Sequence, residues 1–277
     1  MIKKLQNPAN SQDIPIQVFN PFEASKKYSY KHIQPSKELE YLVDSHWSMH
    51  WDLTSSQPFK LELASSPFVA FTFSQYGSFV TGINTGVYGY TIAGQGSLYG
   101  TLFKPTRFYE IFSHSLSELT NKELPIASIF PEFTDDITSS VVTAANDKLA
   151  IDHIESTIRK LPRTTDTSGP IMAEDIIGYS LAYTEQNVNQ IARHFKISER
   201  SLHKLFHDYV GVGIKWITVR DRLQKAMYIS ARSDAKPDWT AIALELGYGD
   251  QSHFINDFKR IIGMSPSRYH QLLASSK

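Results

Sequence analysis

The chain has 277 residues, of which 41% are hydrophobic, 12% aromatic and 20% charged, which suits a globular protein with room for two cored domains and excludes a disordered one. It has no cysteine, which removes disulfide staples, thiol catalysis and cysteine-based zinc sites together. Formal net charge is zero but unevenly spread: from Pro170 on there are 14 basic and 11 acidic residues, before it 14 and 17, and five of the ten histidines lie in the more basic part.

At the amino end, Met1-Ile2-Lys3-Lys4 is followed by polar residues where a signal peptide needs an apolar core, and no apolar run approaches the ~20 residues of a membrane span. A cytoplasmic protein with no membrane partner is expected. From Ile16 to about Lys104 come short aromatic and β-branched runs: Ile16 to Phe19, Tyr41 to Leu53, Phe59 to Leu63, Phe68 to Phe73, Ser78 to Ile83, Val87 to Ile92 and Ser97 to Phe103. Separated by Gly, Pro, Asn and Ser, they predict an antiparallel barrel or sandwich. Alternation places Phe59, Leu61 and Leu63, and Val69, Phe71 and Phe73, on an inward side. Those side chains read either as plain core or as the wall of a cavity for one small molecule.

Asp135 to Leu161 predicts one or two helices, with Val141, Val142, Leu149, Ile154 and Ile158 spaced to pack on the barrel or on a partner chain. Pro162 to Pro170 is polar and breaker-rich, the composition of a linker. The expected fold is therefore α+β in two domains: a β-rich sensor or dimerisation domain over 1–161, a linker over 162–170 and an all-α domain over 171–277.

The last hundred residues contain one pattern twice. Ile191-Ala192, Phe195, Lys196-Ile197-Ser198 and then Leu202, Leu205 and Phe206 are matched by Ile242-Ala243, Leu246, Gly247-Tyr248-Gly249-Asp250 and then Phe254, Phe258 and Ile261. Each copy predicts helix, tight turn, helix, over about 188–208 and 240–260, with Ser198 and Asp250 as N-caps of the second helices. The second turn holds one residue more. Burying the apolar positions turns Arg200, His203, Lys204 and His207 outward in the first copy, and Ser252, Ile255, Asn256 and Lys259, with Gln251 beside them, in the second. Such a polar stripe suits the major groove, where guanine takes Arg or Lys, adenine takes Asn or Gln and a thymine methyl takes an apolar contact. A merely solvated outer face is the alternative for one copy taken alone.

Between the copies, Ile214 to Ile229 predicts a helix with Ile217, Leu223 and Met227 interrupting a basic surface of Lys215, Arg220, Arg222 and Lys225. At 1.5 Å per residue it spans roughly 25 Å, near the ~34 Å that would set two reading helices one DNA turn apart. Ser265-Pro266 starts a final helix whose free N–H groups, with Arg260 and Arg268 nearby, either hold a phosphate or simply begin a helix.

Gly247-Tyr248, Asp250-Gln251-Ser252-His253-Phe254, Phe258-Lys259-Arg260, Gly263 and Ser265-Pro266 resemble the signature of the AraC/XylS transcription regulators. Ile191-Ala192, Ile197-Ser198, Arg200, Leu202, Phe206 and Gly211 extend the resemblance to Ile171 through Ser275. It implies two helix-turn-helix subdomains on promoter DNA, with the contacts on Arg200, Ser201, His203 and Lys204 of the first copy and on Gln251, Ser252, His253, Asn256, Lys259 and Arg260 of the second. Many members carry a stronger donor where Asn256 stands, so the second copy is expected to favour phosphate contacts. Trp47-Ser48, Trp51-Asp52-Leu53, Phe79 to Gly82 and Gly100 to Pro105 resemble cupin-like sensor domains of a subgroup of the same family. Further candidate partners are then a small-molecule effector, a second copy of the chain and RNA polymerase.

A metal-dependent cupin-type enzyme is the rival class, because His46 and His50, with Glu40 or Asp44, could face a metal. The carboxylate and further histidine that such a site wants at close spacing are missing, and neither a nucleophile elbow nor a phosphate loop occurs. The reading is therefore no enzyme, no cofactor and no metal ligand. A non-specific architectural DNA binder stands as the third class, separable by binding that depends on salt but not on sequence.

Overall fold

The computed structural model describes residues 24–232 and 237–274. The run Ile16 to Phe19 lies outside the described residues. Among those described, eight strands precede ten α-helices, save that one helix and a short turn separate the last strand from the rest.

The strands are β1 (Ser29–Ile33), β2 (Val43–Leu53), β3 (Phe59–Leu63), β4 (Val69–Ser74), β5 (Gly77–Thr81), β6 (Tyr88–Ile92), β7 (Gly94–Phe103) and β8 (Glu123–Pro125). They form an antiparallel six-stranded sheet in the order β1-β2-β7-β4-β5-β8 and a separate two-stranded ladder, β3-β6. The β-rich half is thus present, but the sheet does not close into the expected barrel. The breaker-rich stretches that flank β3 leave one isolated bridge, Ser66 to Asn84, outside the strands.

The six-stranded sheet buries both faces. On one, Phe71, Phe73 and Phe103 pack with Phe108 of α1 (Pro105–Phe112), Val141 of α2 (Asp135–Val142) and Ile151, Ile154 and Ile158 of α3 (Asp147–Ile158). On the other, Met49, Trp51 and Leu53 meet Leu61 and Ile92 of the ladder. Gly100 permits this second packing, since the Trp47 indole lies where its Cβ would be, 2.2 Å from Cε2. Helices α2 and α3 pack on the sheet as anticipated, while Leu149 stays 44% exposed.

Helix α4 (Ser168–Ala182) begins inside the breaker-rich stretch. Then come α5 (Val188–His194), α6 (Glu199–Tyr209), α7 (Ile214–Arg232), α8 (Trp239–Glu245), α9 (Gln251–Ile262) and α10 (Pro266–Ala274). Two cores result. Ala173 and Ile176 of α4 close over Ile191, Leu202 and Phe206, whereas Trp239, Ile242, Phe254, Phe258 and Tyr269 form the other. Helix α7 belongs to both, giving Ile214 and Ile217 to the first and Val219, Leu223 and Met227 to the second. Shared burial on one continuous helix is what ties the two units together.

The helical half also packs on the β-rich half. Ile83 enters the first helical core and Ala64 the second. The Trp216 indole N–H donates to the Thr85 carbonyl at 3.4 Å, and the Thr120 hydroxyl donates to the Gly211 carbonyl at 2.7 Å. No helix among the described residues is long and apolar enough to cross a membrane.

Candidate nucleic-acid interface

The two helix pairs share their turn geometry. Phe195 and Leu246 end the first helices, Lys196 and Gly247 follow with φ of 55° and 78°, and the next residues, Ile197 and Tyr248, donate backbone N–H groups to the Ala192 and Ala243 carbonyls at 3.0 and 2.9 Å. Ser198 then accepts from the Ser201 N–H at 3.0 Å, and Asp250 from the His253 N–H at 2.8 Å, so both cap as their positions predict. A side-chain oxygen satisfying an otherwise orphaned N–H is what starts each second helix at that residue.

On α6, Leu202 and Phe206 are buried and Arg200, Ser201, His203 and Lys204 are exposed. On α9, Phe254, Phe258 and Ile261 are buried and Gln251, Ser252, His253, Asn256, Lys259 and Arg260 are exposed, with Ile255 half-buried against the core. The predicted residues therefore fall on two open helix faces, one per unit.

Several of them already have intramolecular partners. Lys204 pairs with Asp208 one turn on, and Ser201 Oγ lies 2.8 Å from Ser198 Oγ. Asp257, itself buried, accepts from Arg260 at 2.7 Å and lies 3.5 Å from His253 Nε2 and from the Tyr248 hydroxyl. Burial, followed by the Asp257 charge, raises the Tyr248 pKa above its ordinary value.

Three positions expected on the outer surface are engaged elsewhere in the fold, His207 while staying exposed and Arg220 and Arg222 by withdrawing from solvent. His207 contacts the β-rich half, its Nδ1 lying 3.1 Å from Ser115 Oγ and 3.3 Å from Ser117 Oγ. Arg220 is buried, its Nε donating to the Ser65 carbonyl at 3.3 Å and its Nη1 to Gln224 at 2.7 Å; loss of water lowers its pKa to about 10. Arg222 is half-buried, donates to the Thr184 carbonyl and lies 5.8 Å from the Tyr248 ring centroid. The basic surface of α7 is thus reduced to Lys215 and Lys225, because the other two guanidiniums bind carbonyls that lie far away in sequence. Nothing local in the chain signals such partners.

The histidines of β2 are engaged too. His46 is buried, with Nδ1 2.8 Å from Thr101 Oγ1 and Nε2 3.2 Å from Glu155 Oε1. Both ring nitrogens are occupied, so neither offers a lone pair to a metal. Burial works against the Glu155 carboxylate, but hydrogen bonds from His46 and Ser36 outweigh it and bring its pKa down to about 2. His50 Nε2 lies 2.7 Å from Asp147 Oδ1, and Lys31 joins the same carboxylate at 2.8 Å. Glu40 gives its backbone carbonyl to Lys104, and Asp44 accepts from Ser45. An open depression of about 490 Å³ lined by His50, Trp51, Asp52, Gln95, Gly96 and Ser97 lies at the end of β2 and β7.

Two capped helix pairs, hung on one shared helix and each exposing a polar second helix, define a tandem helix-turn-helix domain. Residues 191–271 match a family described as a helix-turn-helix domain, and residues 31–125 match a domain of unknown function, DUF6597. The helix-turn-helix-type transcriptional activator RhaS of Escherichia coli is 33% identical over 87 residues, 31% of each chain. The Msm operon regulatory protein of Streptococcus mutans is 22% identical over 178 residues, 62% of this chain and 60% of that one. An uncharacterised helix-turn-helix-type regulator of Haemophilus influenzae is 29% identical over 85 residues. The match spans only 28% of the Haemophilus protein's length and 31% of that of RhaS. A structure of ToxT from Vibrio cholerae with an unsaturated fatty acid bound is similar at a TM-score of 0.40 and 14% identity, over 90% of this chain and 95% of that one. Residues 191–271 are thus similar to the helix-turn-helix parts of known transcription regulators.

Proposed function

We propose that the protein is a sequence-specific transcription regulator whose helices α6 and α9 enter adjacent major-groove segments of promoter DNA. The observation that carries this reading is the pair of equivalent open helix faces, Arg200, Ser201, His203 and Lys204 on one and Gln251, Ser252, Asn256 and Lys259 on the other, fixed to the two ends of α7. Matched caps and turns give both second helices the same presentation, which a merely solvated surface has no reason to repeat. His253 and Arg260 act chiefly through Asp257, as braces of α9.

In this reading residues 1–161 sense or dimerise and 171–277 bind DNA, with the stretch between them as the join. Leu149 on α3 gives a second copy an apolar contact, and a small-molecule effector and RNA polymerase are the remaining partners. We assign the chain no reaction and place it in the cytoplasm with its DNA. The relatives named as an activator and as an operon regulator support this class.

Selection of fragments bound from sheared genomic DNA, repeated at two salt concentrations, tests the proposal. A motif of two blocks about one helical turn, ~10 bp, apart is expected. Binding that follows salt and ignores sequence would replace it with an architectural role.

A further inference from the structure

We infer that Arg222 is a positioning residue for two-block reading: from α7 it ties the first helix pair to the turn of the second, and so sets how α6 and α9 are oriented to each other and which spacing of DNA blocks they fit. The inference rests on the DNA-binding reading above.

A continuous helix fixes how far apart its ends stand, but not how each unit is turned about its axis. On α7 the first unit is held by Ile214 and Ile217 and the second by Val219, Leu223 and Met227. Apolar burial of this kind is non-directional, so a directed contact that reaches both units adds orientation.

Arg222 makes such a contact. Its Nη2 donates to the Thr184 carbonyl, in the connection between α4 and α5. That connection is itself braced: the Gln186 N–H donates to the Tyr183 carbonyl at 3.1 Å, and Asn187 and Gln190 form a reciprocal cap at the start of α5. On its other side the guanidinium carbon stands 5.8 Å from the Tyr248 ring centroid, within cation–π reach. Tyr248 is buried in the turn that leads into α9, and its ring meets that of Phe254 edge-on, 5.3 Å between centroids. One guanidinium therefore spans from the backbone of the first unit to the residue that seats the second reading helix.

Two features favour placement over plain stability. Arg222 Nε is buried without a hydrogen-bond partner, an arrangement that lowers stability. The two contacts also need a wide, flat charged group, which a lysine ammonium does not supply.

Because the chain has no cysteine, His203→Cys on α6 and Asn256→Cys on α9 provide unique spin-label sites on the two open faces. In the full chain carrying both labels, the distance distribution is expected to be narrow with Arg222 present, broader in Arg222→Met and intermediate in Arg222→Lys. Thermal unfolding checks that each variant is folded. Unlabelled chains are then titrated with duplexes bearing the selected two-block motif, its spacer changed by one base pair, which turns one block by ~34° about the other. The parent is expected to lose about tenfold in affinity on that change, and Arg222→Met less than about threefold. An unchanged distance distribution overturns the inference alone, as does an equal loss at every spacing with the preference retained. If Arg222→Met does not fold, Arg222→Lys decides by the same two readouts. A parent chain that selects no two-block motif overturns the DNA-binding reading and the inference with it.

Discussion

Lys196 and Gly247 occupy the same left-handed position in two turns 51 residues apart, with φ of 55° and 78°. The Lys196 and Gly247 N–H groups bond to the Arg193 and Leu244 carbonyls at 3.1 and 3.0 Å, so the backbones, as well as the patterns, are equivalent. A lysine in that region carries strain of about 1–2 kcal/mol that glycine does not.

Nothing lies within 4 Å of a Cβ added at Gly247, so Gly247→Ala introduces backbone strain without a clash. It is expected to lower stability by about 1 kcal/mol in thermal unfolding. Lys196→Gly relieves strain but loosens the unfolded chain, so a gain of at most about 0.5 kcal/mol is expected. Equal and large losses at both positions would show that the turns are not equivalent.

Gly263 ends α9 with φ of 84°, and a Cβ there would stand 2.2 Å from Val87 Cγ2 of the β-rich half. Gly263→Ala therefore adds a collision between halves to the left-handed penalty of about 1–2 kcal/mol. Val87→Ala in the same chain should recover only the collision. Complete recovery in thermal unfolding would mean that backbone strain contributes nothing.

Asp257 is buried and holds Arg260, His253 and Tyr248. Asp257→Ala leaves the Tyr248 hydroxyl without its acceptor and is expected to cost about 1–3 kcal/mol. Loss of DNA protection confined to the block read by α9 would follow, because α6 does not rest on this network.

The low pKa of Glu155, about 2 against an ordinary 4.5, makes a prediction about acid. The folded carboxyl releases its proton more readily than the unfolded one, so its stabilisation is complete above pH 4.5 and is lost as pH falls toward 2. Glu155→Gln should flatten the stability curve within that window, as followed by denaturant unfolding at each pH. An unchanged slope there would assign the acid sensitivity to other groups.

Much of the helical half was legible because its determinants are local. The caps Ser198 and Asp250 and the apolar steps Leu202–Phe206 and Phe254–Phe258 lie within single helices, where periodicity reports burial. The strands from Phe59 to Phe103 were legible within a few residues for the same reason. Strand β1 escaped because Ser-Tyr-Lys-His-Ile lacks alternation at a sheet edge, and β8 because three residues ending in Pro carry no strand pattern. Arg220 read as a surface charge because its carbonyl partner, Ser65, is 155 residues away. His207 fitted the outward stripe of α6, and only the fold brings Ser115 and Ser117 to it.

Arg200→Ala and Lys204→Ala distinguish reading from mere attachment. Each is expected to weaken binding to a selected site about five- to 150-fold and to a random duplex much less. Equal losses on both DNAs would mean that these side chains touch phosphate only.

The most direct test is a chemical footprint of the full chain on a selected fragment, taken alongside the Arg200→Ala and Gln251→Ala variants. Two protected major-groove blocks about one turn apart are predicted, with each variant erasing one block and leaving the other. A single block, or even protection that both variants weaken alike, would contradict two-helix reading of the site.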